Sequence, residues 1–202
     1  QSALLEVMEE GRATIDGVPH EAGRPFMVIA TQNPIEQAGT YKLPEAQLDR
    51  FLIKTSIGYP DLAATEAILN QVSTRDRSTL VAPVITTTAI ADMADLVAGV
   101  HIDPAVARYT AELAQETRHD PNARLGVSVR GTMAILRAAK VWAASEGRTY
   151  VLPDDVKALA LPVWHHRIVM DPEAEFRGAT GETIVARVLA EIPAPQARQS
   201  VA

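Results

Sequence analysis

Phe26-Met27-Val28-Ile29-Ala30-Thr31-Gln32-Asn33-Pro34 is the stretch that decides the fold class. Its first five residues are apolar without interruption. That pattern reads as a strand covered on both faces, since a strand with one wet face alternates. Pro34 pushes Asn33 towards extended backbone and stops the run. Polar residues at the carboxyl end of a buried strand sit where open α/β sheets bind ligands. An amide at Asn33 either orients a water or a phosphate oxygen there, or is a strand-end turn residue. Position alone leaves both open.

Upstream, Ser2 to Glu10 reads as a helix with Leu4, Val7 and Met8 as its apolar stripe and Gly11 as its terminator. Residues 12–25 read as a hairpin, because Asp16-Gly17 is a strong two-residue turn between short apolar runs. Downstream stands Leu43-Pro44-Glu45-Ala46-Gln47-Leu48-Asp49-Arg50-Phe51. Pro44 suits a helix first turn. Leu48 and Phe51 share one face of that short helix, with Asp49 and Arg50 on others. Arg50 either reaches a neighbouring molecule or pairs with Asp49 or Glu45. Leu52 to Ile57 then alternates as a second strand.

After Asp61 the period changes from 2 to about 3.6. Helices are expected near 61–72, 86–98, 104–119, 128–146, 153–167 and 181–191. Ser73 to Pro83 and Asp120 to Gly126 read as loops, and the tail beyond Ile192-Pro193-Ala194-Pro195 as frayed. The fold class is therefore α/β followed by all-α. An α/β piece spans residues 1–60 and a helical piece 61–202. Two strands and a hairpin make too small a sheet to be complete. With Gln1 opening inside a helical pattern, the expectation is a part of a longer chain.

Composition narrows the classes. The chain has 202 residues, 47% hydrophobic and 22% charged. Those fractions exclude disorder throughout. No apolar run approaches the ~20 residues of a bilayer span, so no membrane association is expected. Cysteine is absent. Thiolate metal sites and cysteine nucleophiles are therefore excluded, and a cytoplasmic location is the simple expectation. The net charge of −6 gives no support to nucleic-acid binding. The first hundred residues hold 7 basic against 13 acidic side chains, and the remainder is balanced at 12 of each.

Gly126-Val127-Ser128-Val129-Arg130 is the third candidate. Ser128 suits an N-cap, which places Arg130 in the first turn of a long helix. Helix N-termini attract anions, and a cation there adds to the attraction. The alternative is an exposed arginine that slightly opposes the dipole. The segment only approaches Gly-x-Ser-x-Gly: its fifth residue is Arg130 and no buried strand precedes it. The five histidines show no i, i+4 pair, adjacent His165 and His166 point to different faces, and no metal site is expected. Asp154-Asp155 suits a helix first turn. No Gly-Lys dipeptide occurs, so the phosphate-loop motif is missing.

Taken in order, Gln1 to Glu10, the Asp16-Gly17 hairpin, Ala30-Thr31-Gln32-Asn33-Pro34 and Leu43 to Phe51 resemble the MoxR family of AAA+ ATPases. The resemblance is densest over residues 1–61 and continues more loosely through Arg130 and Pro153-Asp154-Asp155-Val156 to about residue 170. It implies the second half of an AAA+ core, an incomplete parallel sheet with a hairpin insertion, followed by a helical lid. It implies that Asn33 is sensor 1, beside the attacking water. Arg50 becomes an arginine finger reaching the nucleotide of the adjacent subunit. Arg130 becomes sensor 2 on the lid, with Val129 where the family pattern carries Pro. ATP and Mg2+ are the implied cofactors. The family's Walker A and Walker B segments precede the matched part, so these 202 residues alone are expected neither to bind nucleotide nor to hydrolyse it. The implied assembly is a homo-oligomeric ring, a hexamer in the family pattern, acting as a chaperone on other proteins, with a von Willebrand factor A-domain protein as a possible partner. Two other readings compete: a non-enzymatic helical adaptor, and a nucleic-acid binder with a helix-turn-helix among the lid helices.

Overall fold

The computed structural model describes residues 2–32, 45–70 and 81–195. Helix α1 (Ser2–Glu10) ends at Gly11, whose positive φ of 70° is the left-handed stop expected of a glycine there. Strands β1 (Arg12–Ile15) and β2 (Val18–Glu21) form an antiparallel hairpin with Ile15 opposite Val18. Asp16 and Gly17 both have positive φ, as a type I′ turn requires. Thr14 Oγ1 donates to Glu6 Oε1 at 2.6 Å and seats the hairpin on α1.

Phe26 to Ala30 and Leu52 to Ile57 belong to no ladder, contrary to the expectation of two strands. A strand needs a neighbour to take its backbone groups, and the described residues supply none. Met27 and Ile29 stand 77% and 80% exposed, so the apolar pattern that marks a buried strand is uncovered. Pro44 lies outside the described residues; the short helix begins at Glu45 as α2 (Glu45–Leu48).

The helical part follows its pattern closely. Its elements are α3 (Leu62–Asn70), α4 (Thr87–Ala98), α5 (Pro104–His119), α6 (Val129–Ser145), α7 (Pro153–Trp164) and α9 (Gly181–Glu191). Each of α4, α5, α6 and α9 starts on a side-chain cap, from Thr86, Asp103, Ser128 and Thr180. The helix expected to reach residue 167 stops at Trp164 and tightens into a 3₁₀ turn, His165–Arg167. Pro162, which can donate no backbone bond, lies in that last turn. Two small elements were not foreseen: a ribbon of β3 (Ala123–Leu125) with β4 (Val169–Met170), and α8 (Pro172–Phe176).

Among the described residues the buried core lies entirely in the helical part. Tyr109 and Leu113 of α5, Ile135 and Ala139 of α6, Val156 and Val163 of α7, and Ile184 and Val188 of α9 are all buried together. Buried Gly131, Ala134, Ala138 and Ala139 make one side of α6 small, which lets α7 approach closely. Trp164, 1% exposed, satisfies its indole N–H on the Gly131 carbonyl at 3.0 Å. At the start of α7, Asp155 accepts the Leu152 N–H at 2.8 Å. The same carboxylate forms a two-point ion pair with Arg148 at 2.6 and 2.8 Å. That pair raises the Arg148 guanidinium, and it bears out the reading of Asp155 as a first-turn carboxylate.

Gly181 opens α9 directly against the carbonyl of His165. A Cβ built there would lie 2.3 Å from that oxygen, with no flexible side chain to give way. Gly181→Ala is expected to shift α9 off the 3₁₀ turn and to cost about 1–3 kcal/mol. Urea unfolding checks it, and an unchanged midpoint would show that α9 has room to move.

Candidate functional site

The site is a junction where the Asp49-Arg50-Phe51-Leu52 segment meets the start of α6 and the end of α7. Ser128 precedes α6 with extended backbone, so its hydroxyl can accept the Gly131 N–H at 3.0 Å. The same hydroxyl donates to the Asp49 carboxylate, with Oδ2 at 3.1 Å and Oδ1 at 3.2 Å. A serine hydroxyl has one proton and two lone pairs, so both bonds are made at once.

Arg167 sits at the centre. Its side chain is 2% exposed. Nε donates to the Val163 carbonyl at 2.7 Å, closing the end of α7. Nη1 donates to Asp49 Oδ1 at 2.6 Å and to the Asp49 carbonyl, and Nη2 donates to the Phe51 carbonyl at 2.6 Å. A buried guanidinium requires both a counter-charge and acceptors for its fork, and this segment supplies both. The Lys54 N–H completes the seam on the Pro162 carbonyl at 3.0 Å.

His166 lies alongside. Its Nε2 is 3.1 Å from the Phe51 carbonyl. A carbonyl only accepts, so Nε2 carries the proton and Nδ1, buried, is left with no hydrogen-bond partner. Burial pushes the imidazole down to about 4, against the pull of the Phe51 carbonyl, while the charges of Arg167, His165 and Lys54 push the same way as burial. The folded state therefore binds this proton less readily than the unfolded chain. Its contribution to stability is complete above the unfolded value of 6.5 and is lost as pH falls from there towards 4. His166→Gln keeps an N–H for Phe51 but cannot titrate. It is expected to flatten the pH dependence of the unfolding midpoint between pH 6.5 and 4, and an unaltered slope would assign that dependence to other groups.

The structure places the expected site residues as follows. Arg50, half-buried, follows α2 on a turn whose N–H bonds to the Gln47 carbonyl at 3.2 Å. It lines a shallow cleft of about 180 Å³ with Met8, Phe26, Met27, Val28, Phe51 and Leu52. Arg130 is exposed on the first turn of α6, two residues from Ser128. Thr31 and Gln32 are exposed, and Asn33 lies outside the described residues. Arg50 and Arg130 thus flank one hydrogen-bonded contact, Asp49 to Ser128. Sequence reasoning missed Asp49 and Arg167. In the sequence Asp49 stands out only as a partner for Arg50, and Arg167 only as the end of a helix. His165 and His166 do diverge: His165 Nδ1 meets the Leu161 carbonyl at 2.7 Å while His166 meets Phe51. No group of metal-ligating side chains gathers among the described residues, and no helix among them is long and apolar enough to cross a membrane.

Comparison with known proteins matches residues 1–53 to the ATPase family associated with various cellular activities (AAA), and residues 115–188 to the AAA lid domain. The chain is 41% identical over 201 residues to the uncharacterized protein YeaC of Bacillus subtilis, covering all of this chain and 63% of YeaC. It is 33% identical over 205 residues to the chaperone MoxR1 of Mycobacterium tuberculosis, covering 97% of this chain and 54% of MoxR1. The chain belongs to the MoxR family of AAA+ ATPases. A crystal structure from Cytophaga hutchinsonii, provisionally described as an ATPase, superposes with a TM-score of 0.86 at 33% identity, over 96% of this chain and 62% of that one. The fold is accordingly part of an AAA+ core followed by a helical lid. The chain spans between about half and two thirds of the length of these relatives. In this MoxR-family chain, Asp49 belongs to the AAA match while Ser128 and Arg167 belong to the lid match, so the junction joins the two.

Proposed function

We propose that this chain is the sensor and lid portion of a MoxR-type AAA+ ATPase that couples ATP hydrolysis in a ring of like subunits to the assembly or maturation of other proteins. In this reading residues 1–60 are the core portion and 61–202 the lid. The observation that carries it is the placement of two arginines, Arg50 and Arg130, on either side of the Asp49–Ser128 contact between core and lid. Their charge, together with the N-terminus of α6, suits a polyphosphate. For Mg2+ the described residues offer no ligand set.

Bound ATP supplies the phosphoryl group. Arg130 holds the nucleotide from the lid of its own subunit. Arg50 reaches the adjacent subunit's nucleotide and neutralises charge developing on the transferred phosphoryl. Asn33 orients the attacking water. A finger supplied in trans makes hydrolysis conditional on assembly, which is the use a ring has for it. Six subunits and a partner carrying a von Willebrand factor A-type domain complete the reading. Arg50→Ala in the full-length protein tests it, with ATP turnover read against ATP binding.

A further inference from the structure

We propose that Asp49 and Ser128 are positioning residues for Arg50: they tie its turn to the N-terminus of α6, so that the backbone of Arg50 follows the helix that carries Arg130. The inference rests on the roles given above to the two arginines.

The chain is pinned on either side of Arg50. The carbonyl of Asp49, just before it, and the carbonyl of Phe51, just after it, are both held by the single guanidinium of Arg167. A guanidinium is planar and rigid, so the two carbonyls are fixed relative to each other. Arg50 cannot change its backbone angles without breaking one of these bonds. The Asp49 carboxylate is clamped twice, by Arg167 on one side and by Ser128 on the other. Ser128 in turn holds the first turn of α6 through Gly131, one residue beyond Arg130. The path from Arg130 to Arg50 therefore runs through two hydrogen bonds and no flexible side chain longer than aspartate.

The packing leaves little slack. A Cβ at Gly131 would lie 2.9 Å from Val127 Cγ1 and 3.0 Å from Arg167 Cδ, so α6, Arg167 and the cap loop are in close contact. A shift of α6 is passed to Asp49 rather than absorbed. Neither Asp49 nor Ser128 touches a reacting atom. Their consequence is that closing the lid over one subunit's nucleotide re-aims the arginine offered to the next.

The test uses the full-length protein with Asp49→Asn and Ser128→Ala, each checked for folding by thermal unfolding. Hydrogen exchange of the 50–53 amides is expected to rise about five- to tenfold in both variants, the effect of losing a cap or a charge-assisted bond, while α5 and α9 keep their protection. The kcat for ATP falls by a similar factor with KM nearly unchanged, and Asp49→Asn adds nothing further to Arg50→Ala. Unchanged exchange at 50–53 in both variants would overturn the inference, as would losses from Asp49→Asn and Arg50→Ala that multiply. If Arg50→Ala alone hydrolyses ATP at the wild-type rate, the functional reading fails instead, and the exchange measurement still decides whether Asp49 and Ser128 position the turn.

Discussion

Arg50→Ala in the full-length protein is expected to lower ATP turnover by about 10³–10⁵-fold, the range lost when an arginine finger is removed from phosphoryl transfer, while ATP binding stays within a few-fold of wild type. The split follows from where the residue acts. Phosphoryl transfer involves little covalent chemistry for the protein to perform, so its rate depends on positioning and on neutralising charge that appears only in the transition state. A group that meets that charge from the neighbouring subunit leaves the ground-state complex of its own subunit untouched. Arg50→Lys tests geometry apart from charge: a point charge cannot reproduce the planar fork, so most of the loss should remain. Mixed assemblies provide the decisive control. Subunits lacking Arg50 but competent to bind ATP should regain turnover beside subunits that offer Arg50 but cannot bind ATP. Wild-type turnover in Arg50→Ala would reject the finger, and loss of ATP binding in parallel with turnover would place Arg50 in its own subunit's site.

How much of this was legible beforehand depended on range along the chain. Ser128 writes a cap beside an apolar period, and the periods near 104–119 and 181–191 are continuous, so α5, α6 and α9 start where the sequence puts them; Asp103 and Thr180 supply the caps of the other two in the structure. The hairpin was legible for the same reason, since Asp16-Gly17 specifies its own backbone. Phe26 to Ala30 shows the opposite case. Its apolar pattern is that of a central strand, but a ladder depends on partners far away in sequence, and none among the described residues pairs with it. The β3–β4 ribbon was missed because three- and two-residue strands carry no period. At the site, Arg50 and Arg130 stood out by their setting and by family resemblance. Arg167 did not, because His165-His166-Arg167 reads as the basic end of a helix, which the helix dipole explains without further partners. Only the fold reveals that this arginine turns inward to residues 49–52, over a hundred positions earlier.

Arg167→Met is expected to destabilise the protein by about 3–5 kcal/mol, the cost of removing one partner of a buried ion pair. Methionine fills much of the arginine stem's volume, so a cavity contributes little and the loss reports the polar groups left behind. Asp49 would keep only the Ser128 hydroxyl against its charge. The Phe51 carbonyl would keep only His166, and the Val163 carbonyl would lose the bond that closes α7. The Val163 carbonyl is buried and counts close to its full desolvation cost, while the Asp49 carboxylate and the Phe51 carbonyl are part-buried and each count for less. Asp49→Asn should cost less, because the amide oxygen still accepts from Arg167 and no charged carboxylate is stranded. The protein carries a suitable reporter: of its two tryptophans, Trp142 is 44% exposed while Trp164, 1% exposed, is bonded to Gly131 beside Arg167. Urea unfolding followed by tryptophan emission therefore reads the junction directly. A lowered midpoint with an unchanged slope is the expected result. A loss below about 1 kcal/mol would mean that water enters the junction and that Arg167 is held no more firmly than a surface arginine.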